Sequence, residues 1–422
     1  MGLDVWIAAA LFALTYAAIA SERLHKTVAA LAGGVLMVAL GILDQEEAFA
    51  AIDLNVIFLL LGMMVIANVT RRTGVFQWVA IRAVRLAGAD PWRILVALSV
   101  ITAIASAFLD NVTTVVLVGP ITLYIAAALR VSPIPYLISE ILASNIGGTA
   151  TLIGDPPNIL IGSAAGIDFA TFAANMAPVA VVILVVYLVA ARFLFRGEIR
   201  HQRTNRSVPM LDESGVITDP RLMRISIVVM IGTIAGFLAA GPLGWESATV
   251  ALLGAATLFI VAREDPAEVL REVEWSTLLF FAGLFMLVEG VIHVGIIAAL
   301  GDGLFQATGG DASITAIALL WVSGIASGII DNIPYTATLI PIVEQLGVRG
   351  LDLEPLWWSL AIGASLGGNG TIIGASANVV IANLAQRAGH PITFVAFLRY
   401  GVSTLLLSLV IATAYVWLRY LL

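Results

Sequence analysis

The chain has 422 residues, of which 60% are hydrophobic and only 12% are charged. A soluble protein of this size could not bury so much apolar surface, so a bilayer must surround most of it, and its long apolar runs favour helices over a barrel. The net charge of −7 does not indicate nucleic-acid binding, and the absence of cysteine excludes disulfides, thiolate metal sites and thiol nucleophiles.

The first apolar run, residues 3–20, ends in small residues and so resembles a secretory signal peptide. Its start, however, carries Asp4 and neither lysine nor arginine, whereas a signal peptide begins with positive charge. We therefore interpret it as the first transmembrane helix. Two further spans follow at about 27–43 and 54–70.

The rest of the first half contains four kinds of segment. An amphipathic arm with four arginines comes first, then an apolar stretch broken at Asp110-Asn111, then a segment interrupted by glycine and proline, and then a last span. We place these segments at 71–92, 93–130, 136–163 and 171–195.

The second half of the chain repeats this order. Asp331-Asn332 repeats Asp110-Asn111 at an offset of 221 (331 − 110 = 221), and Gly367-Gly368 repeats Gly147-Gly148 at an offset of 220 (367 − 147 = 220). Alanines and leucines would coincide by chance in a membrane protein, but these polar and glycine-rich frames would not. We predict two related halves, 1–195 and 224–422, joined by a linker at 196–223. The second half then has spans near 224–241, 247–262 and 275–291, an arm near 294–310, a broken stretch at 311–347, an interrupted segment at 356–386 and a last span at 397–421.

The distribution of basic residues predicts how the chain is threaded. If each stretch broken at Asp-Asn is a re-entrant hairpin, each half crosses the bilayer five times, an odd number, and the halves are inverted. With the N-terminus outside, only Arg349 and Arg419 of the 21 lysines and arginines then lie outside, as the positive-inside rule favours. This threading predicts a protein of the cell's inner (plasma) membrane with both termini outside and a cytoplasmic linker.

The fold expected from these observations is an all-α polytopic membrane protein. It has two inverted repeats of five transmembrane spans, each repeat with a re-entrant hairpin and a broken helix. Inverted repeats with paired broken segments are typical of secondary transporters, whose binding site lies near the midplane.

The two hairpin tips carry acidic residues inside apolar sequence. Asp110 and Asp331 can cap the helices that restart after each break, because aspartate accepts hydrogen bonds from free amides there. An intramembrane carboxylate also commonly marks an ion or proton path. Burial disfavours the charged form of a carboxylate, whereas a helix N-terminus favours it. When these two effects on its pKa nearly balance, the carboxylate can take up and release a proton. A bound cation at the tips is a further alternative.

The second pair of motifs is "SNIGGTATLIGDPPN" (144–158) and "ASLGGNGTIIGASAN" (364–378). Paired glycines allow a close approach of backbone to a ligand, and Pro156-Pro157 cannot continue a helix, so we expect unwound centres here. Small residues also serve helix packing, which is the alternative interpretation. The predicted solute- or ion-binding residues are Asp110, Asn111, Asn145, Gly147, Gly148, Thr149, Thr151, Asn158, Asp331, Asn332, Ser365, Gly367, Gly368, Asn369, Thr371 and Asn378.

Two further acidic residues lie near these motifs. Glu140 precedes Ser144 by one turn and either belongs to the proton path with Asp110 and Asp331 or has a structural role. Asp155 has Ala375 as its repeat counterpart, so the halves differ here and one of two symmetric sites could be vestigial.

The tips together with "GGTATLIGDPPN" resemble the ion transporter superfamily, in its ArsB/NhaD branch of arsenite efflux permeases, sodium/proton antiporters, P-protein-like members and CitMHS-type permeases. "SAFLDNVTT" and "DNIPYTATLIP" are especially similar to P-protein-like members. Dicarboxylate carriers of the superfamily have Ser-Asn-Thr at the tips. Here an aspartate replaces that serine in both halves, which disfavours sodium–carboxylate symport, and the order Asp-Asn differs from that of many arsenite permeases.

The resemblance implies a scaffold formed by the first three spans of each repeat, and a moving unit of hairpins and broken helices that shifts like an elevator. It also implies a homodimer in many members and a soluble ATPase partner in some arsenite systems.

Three transport functions are compatible with these residues. We expect proton-coupled efflux of a small oxo-acid, with arsenite or antimonite as the specific hypothesis, because hydroxyl and amide groups can hold a neutral As(OH)3. A sodium/proton antiporter is the second hypothesis, and a sodium-coupled dicarboxylate or citrate carrier the third. We expect neither an enzyme nor a cofactor or metal site, since no Ser/His arrangement suggests a nucleophile–base pair and the histidines lack ligand spacing.

Overall fold

The computed structural model describes residues 2–21, 23–88, 90–200 and 215–422, and within these residues it contains helices and no β-strand. Eight of the described helices are long and apolar enough to cross a membrane, or nine spans if one bent pair is counted as a single span. The predicted all-α polytopic membrane fold is therefore confirmed.

The described part of the first half contains ten helices. They are α1 (Leu3–Ala20), α2 (Lys26–Ala39), α3 (Gln45–Ala50), α4 (Leu54–Arg72), α5 (Val75–Ala87), α6 (Pro91–Phe108), α7 (Asn111–Leu129), α8 (Ile134–Gly148), α9 (Pro156–Ala164) and α10 (Phe169–Leu194). A short helix, α11 (Arg196–Arg200), follows. The centre of the predicted linker, 201–214, lies outside the described residues.

The second half contains the corresponding ten. They are α12 (Pro220–Leu243), α13 (Ser247–Ala262), α14 (Pro266–Arg271), α15 (Trp275–His293), α16 (Ile296–Ala307), α17 (Ala312–Ser327), α18 (Asn332–Val348), α19 (Glu354–Gly367), α20 (Ser376–Arg387) and α21 (Phe394–Val416). The short helices α3 and α14 were not predicted, and α2 ends at Ala39, before the predicted limit of 43.

Local sequence explains why equivalent helices begin at equivalent residues. Asp90 caps α6, and its repeat counterpart Asp311 caps α17, each through a side-chain oxygen that accepts from a backbone N–H of the first turn. Gly74 and Gly295 precede the arms α5 and α16 with φ of 79° and 80°. Only glycine adopts this left-handed conformation at little cost, so both halves turn at the same place.

Each pair of helices that meets at an Asp-Asn tip folds back on itself. Ile94 and Leu98, near the start of α6, line the same small cavity as Ile125 and Leu129, near the end of α7. In the second half, Arg349 follows α18 and forms an ion pair of 2.5 Å with Asp302, on the arm that leads into α17. The two ends of each stretch therefore lie together, as in a hairpin.

The first three long helices of each half pack mainly against one another. Helix α2 packs on α15 and α4 packs on α13, which are repeat-related contacts, and α1 and α12 lie against these four. We call α1, α2, α4, α12, α13 and α15 the scaffold set. The hairpins α6–α7 and α17–α18 pack on the broken helices α8–α9 and α19–α20, and these eight helices form the core set.

Arg71 and Arg72, which we assigned to the amphipathic arm, instead end α4. They form ion pairs of 3.0 and 2.9 Å with Glu272, which precedes α15, and Arg72 also reaches Glu264. Although partial burial opposes ionisation, the two guanidinium groups lower the pKa of Glu272 below its ordinary value. This network ties the ends of scaffold helices from both halves together.

The outer surface of the helices is apolar. Leu14, Val181 and Ile260 are 68%, 57% and 76% exposed, respectively, although they occur in the middle or outer turns of long helices. Such exposure would be costly in water and suits lipid. The polar side chains at the centre of the core set, such as Asn111, Asn145, Asn332 and Asn378, are in contrast 3% exposed or less.

Candidate functional site

The carboxylate of Asp155 lies between the tips of the two hairpins and contacts both of them. Asp155, 1% exposed, accepts hydrogen bonds from Asn111 Nδ2 at 3.1 Å and from Asn332 Nδ2 at 3.2 and 3.3 Å. Asn111 and Asn332 are repeat counterparts, the second residues of the two tips. One carboxylate therefore serves both halves at the place where their related elements converge.

Asp155 was not among the predicted site residues; the sequence indicated only that the two halves differ at this position. The repeat counterpart of Asp155 is Ala375, which has no carboxylate. Asp155 by itself contacts the asparagines of both tips. A sequence signal did exist, because an aspartate between Gly154 and Pro156 interrupts an otherwise apolar segment. That signal could not indicate which groups the carboxylate contacts.

Amide side chains continue from this carboxylate into the second half. Asn145 accepts from Asn111 Nδ2 at 3.3 Å, and its own Nδ2 donates to Asn369 Oδ1 at 3.0 Å and Asn378 Oδ1 at 3.1 Å. All of these asparagines are 3% exposed or less. We call Asp155, Asn111, Asn332, Asn145, Asn369 and Asn378 the central cluster.

Asn158 and Asn378 close the unwound loops of the broken helices. Asn158 Nδ2 donates to the carbonyls of Gly148 and Thr151 at 3.0 and 2.9 Å. Asn378 Nδ2 makes the equivalent bonds at 2.6 and 2.8 Å to the carbonyls of Gly368 and Thr371. Their N–H groups are thus occupied in holding the loop, which is a structural role that the sequence interpretation did not assign.

The oxygens of the same two asparagines join the halves. Ser365 Oγ donates to Asn158 Oδ1 at 2.9 Å, and Asn145 Nδ2 donates to Asn378 Oδ1 at 3.1 Å. Ser365 and Asn145 are repeat counterparts (365 − 145 = 220), so these two bonds are related by the internal symmetry.

The predicted glycine pairs contact backbone of the core set. A Cβ on Gly147 would overlap the Ala103 carbonyl oxygen of α6, and one on Gly367 would lie 2.7 Å from the Gly324 oxygen of α17. On Gly148 it would lie 2.7 Å from the Gly154 oxygen, and on Gly368 it would lie 3.1 Å from Ala375 Cβ. These contacts favour the packing interpretation of the glycines over direct contact with a ligand.

Two predicted threonines fasten the unwound loops to the hairpins. Thr151 Oγ1 donates to the carbonyl of Ala107 at the end of α6, and Thr371 Oγ1 donates at 2.6 Å to the carbonyl of Gly328, just after α17. Thr149 Oγ1 bonds to the Asn145 carbonyl of its own helix at 2.8 Å. The Thr151 and Thr371 hydroxyls therefore fix the position of each loop against its own hairpin.

The tip aspartates differ in their partners although their sequences match. Asp110 caps α7 by accepting from the Thr113 N–H at 2.8 Å, and Asp331 caps α18 by accepting from the Ile333 N–H at 3.0 Å. Asp331 also forms an ion pair of 3.1 Å with Lys26, whereas no ion pair joins Asp110 to a described residue. Lys26 was absent from the prediction, because it lies 305 residues before Asp331 at the start of a scaffold helix.

Glu140 is 1% exposed and lies on α8, away from the central cluster's hydrogen bonds. Thr122 Oγ1 donates to its Oε1, while Oε2 has no hydrogen-bond partner among the described residues. Its repeat counterpart is Leu360, so this carboxyl belongs to one half only.

Three further polar groups close in sequence to the predicted site are buried without a partner among the described residues. They are Asn369 Nδ2 in the central cluster, Thr114 Oγ1, one turn after Asn111, and Thr336 Oγ1, one turn after Asn332. Buried polar groups are seldom left unpaired, so these are groups that a solute or water could satisfy. The described residues contain no group of three or more His, Cys, Asp or Glu that could hold a metal ion.

Comparison with known proteins gives consistent similarities. Residues 16–363 match the family model CitMHS, described as citrate transporter. The chain is 43% identical over 421 residues to a protein named as an uncharacterized transporter of Mycobacterium tuberculosis, with 98% of each covered. It is 42% identical over 424 residues to a 46 kDa membrane protein of Mycobacterium leprae, with 98% of the chain and 99% of that protein covered.

Two more distant similarities extend over nearly the whole chain. It is 33% identical over 502 residues to the human P protein, covering 98% of the chain and 59% of that protein. The crystal structure of the YdaH transporter of Alcanivorax borkumensis superposes with a TM-score of 0.61 at 15% identity, covering 99% of this chain and 97% of that one. At this identity the likeness concerns the fold.

Proposed function

Since the chain belongs to the CitMHS family, which is part of the ion transporter superfamily, we propose that it couples the movement of a small solute to protons. Related proteins are membrane transporters. Asp155 is the carboxylate that takes up and releases the proton in this proposal. Asp110 and Asp331 set the structure and charge of the two tips around it.

The observation that carries the proposal is the placement of Asp155 between Asn111 and Asn332. A carboxylate buried to this degree is costly unless it is paired or neutralised, and here its hydrogen-bond partners are neutral amides. A proton or a monovalent cation would supply the missing neutralisation. Because the amides come from both tips, a change in the charge of Asp155 would alter the contact that joins the two hairpins.

The proposed movement is an elevator-like shift of the core set along the scaffold set. In the predicted orientation the start of α2 lies towards the cytoplasm. A cavity of about 460 Å³ lies beside Lys26, Asp331 and Ser376 at that end. At the other end of the scaffold, Asn55 Nδ2 of α4 is 3.2 Å from Ser163 Oγ of α9. With this orientation, the arrangement is treated in the proposal as the state that is open to the cytoplasm.

The solute favoured first is a small neutral oxo-acid, with arsenite or antimonite as the specific hypothesis. Among the described residues, Asn369 Nδ2, Thr114 Oγ1 and Thr336 Oγ1, which are close in sequence to the predicted site, are neutral groups without a partner. Neutral donors and hydroxyls can hold an undissociated acid without a countercharge. Release to the far side would be driven by proton entry.

A carboxylate anion is the second candidate, and two observations favour it. The matching family model is described as citrate transporter. Lys26 also brings a cation to the edge of the core set, which weakens the sequence argument that no basic residue accompanies the motifs.

Everted membrane vesicles from cells that express the chain test these alternatives. With a proton gradient imposed, accumulation of arsenite supports the first candidate, accumulation of citrate the second, and dequenching of a pH-sensitive dye on adding Na+ alone supports sodium/proton exchange. Asp155→Asn should abolish the gradient-driven flux at unchanged expression, while Asp4→Asn, at an exposed carboxyl, should not alter it. Full gradient-driven flux in Asp155→Asn would refute the role of Asp155.

A further inference from the structure

Lys26 forms a contact between the scaffold set and the core set. It is the first residue of α2, and its Nζ lies 3.1 Å from Asp331 Oδ2 and 2.7 Å from Ser376 Oγ. Ser376 Oγ in turn donates to Asp331 Oδ2 at 3.2 Å. The three groups close a triangle in which an ammonium from the scaffold neutralises the tip of the second hairpin.

Among the described residues, the first hairpin tip has no such contact. The repeat offset places Ser247 opposite Lys26 (247 − 26 = 221) and Pro156 opposite Ser376 (376 − 156 = 220). Neither can supply a cation to Asp110. Both tips have the sequence Asp-Asn, and in both the aspartate caps the following helix. Among the described residues, Asp331 is paired with a lysine and Asp110 is not paired with a basic residue.

The acidic surroundings explain why such a cation matters. Asp331 interacts electrostatically with Asp155, and Glu274 at the start of α15 interacts with both Lys26 and Asp110. The described acidic groups around the tips are therefore Asp110, Asp155, Glu274 and Asp331. These four acidic groups already outnumber the one ammonium, so its removal would increase the excess of negative charge, which a proton or another cation would then have to offset.

The contact also depends on the position of the core set. Lys26 is fixed to α2, which packs tightly on α15, whereas Asp331 and Ser376 belong to the hairpin and the broken helix. In an elevator movement the carboxylate would leave the ammonium behind. The cavity beside them, lined also by His25 and Asn383, gives water and ions access to this point.

We infer that Lys26 is a built-in counter-cation, which occupies the place of a proton or monovalent cation at Asp331 in the arrangement seen here and gives up that place when the core set moves. This inference rests on the proposed function, because it requires a moving core set. Lys26 acts as a positioning residue: it excludes a cation from Asp331, a charged neighbour of the proton-carrying Asp155, on one side of the membrane and holds that end state in place.

The first measurement reports the end state and needs no solute. The chain has no native cysteine, so the pair Asn55→Cys/Ser163→Cys, whose side chains are 3.2 Å apart here, can be crosslinked with Hg2+ in liposomes without interference. We expect Lys26→Met to slow crosslinking about two- to fivefold, the range that a partly exposed ion pair provides. Lys26→Arg, which keeps the positive charge, should crosslink like the parent.

The second measurement reports the cation. Purified Lys26→Met should retain radiolabelled Na+, or take up a proton on mild acidification, in excess of the wild type, and Lys26→Met/Asp331→Asn should lose that excess. The inference would be overturned if Lys26→Met crosslinked at the wild-type rate and bound no more cation than the wild type. Failure of the proposed function is distinguishable, because it would appear as absence of proton-coupled solute flux in the wild type, which neither measurement uses.

Discussion

The close packing of Gly147 makes Gly147→Ala the sharpest test of how the site is held. An ordinary contact for an added Cβ is 3.4 Å or more, whereas here the Cβ would lie only 2.5 and 2.6 Å from the Cα and carbonyl carbon of Ala103. It would lie closer still to the Ala103 carbonyl oxygen. These are all backbone atoms, so no side-chain rotation can relieve the clash.

Helices α6 and α8 would therefore have to move apart before the new methyl group could fit. Overpacking of this kind costs about 1–3 kcal/mol, occasionally more, while alanine in a helix gains about 0.5–1 kcal/mol over glycine. The separation would also strain the bonds between these helices, Ser99 to Ser139 at 2.7 Å and Ser144 to Ser106 at 3.1 Å. Because the clash is with backbone atoms, we expect the upper part of this balance, a net loss of about 1–2 kcal/mol.

The assay is unfolding of the purified protein in mixed detergent micelles, followed by circular dichroism. Gly232→Ala is the matched control, because Gly232 is inside α12 and an added Cβ would meet nothing within 4 Å. It should be neutral or slightly stabilising. Gly367→Ala, with a clash at 2.7 Å, should lie between the two. If Gly147→Ala were as stable as Gly232→Ala, the glycine would not be required for packing.

Three further predictions concern other parts of the molecule. Glu140→Gln keeps the acceptor for Thr122 and removes the carboxyl, so we expect normal expression and reduced proton-coupled flux in vesicles; full flux would assign Glu140 a structural role. Asn378→Leu removes the bonds that close its loop, each worth about 0.5–1.5 kcal/mol, and should lower stability in the same unfolding assay, whereas an unchanged midpoint would contradict its role. Glu272→Gln should cost about 0.5–1 kcal/mol at neutral pH. This cost should vanish as the pH falls through the lowered pKa of Glu272, because the wild-type carboxyl is then protonated; a pH-independent difference would contradict the ion-pair account.

Much of the fold can be predicted from the sequence, because its signals are local. The hydropathy of each run predicts a helix, and the Asp-Asn tips and the Gly-rich frames mark where helices end. The repeat offset predicts that both halves contain the same order of helices, which the capping residues Asp90 and Asp311 and the turns at Gly74 and Gly295 illustrate.

The contacts of the site depend instead on how distant segments pack. Asp155 bonds to Asn332, 177 residues away, and Lys26 pairs with Asp331, 305 residues away. Hydrophobic periodicity describes which face of a helix is buried, but it does not specify which polar groups meet once two buried faces come together. For the same reason, the two glycine-rich motifs (144–158 and 364–378) could not reveal that Asn158 and Asn378 close the unwound loops instead of only lining a binding site.

The amino-acid sequence thus determined a helical membrane protein of two related halves with interrupted segments, because length, hydropathy and helix-ending residues act over a few turns. The tertiary structure decided that one carboxylate, Asp155, joins both tips and that a scaffold lysine pairs with the aspartate of the second tip. The physical reason is that a buried charge is stabilised by the partners that packing brings to it, and those partners come from other parts of the chain.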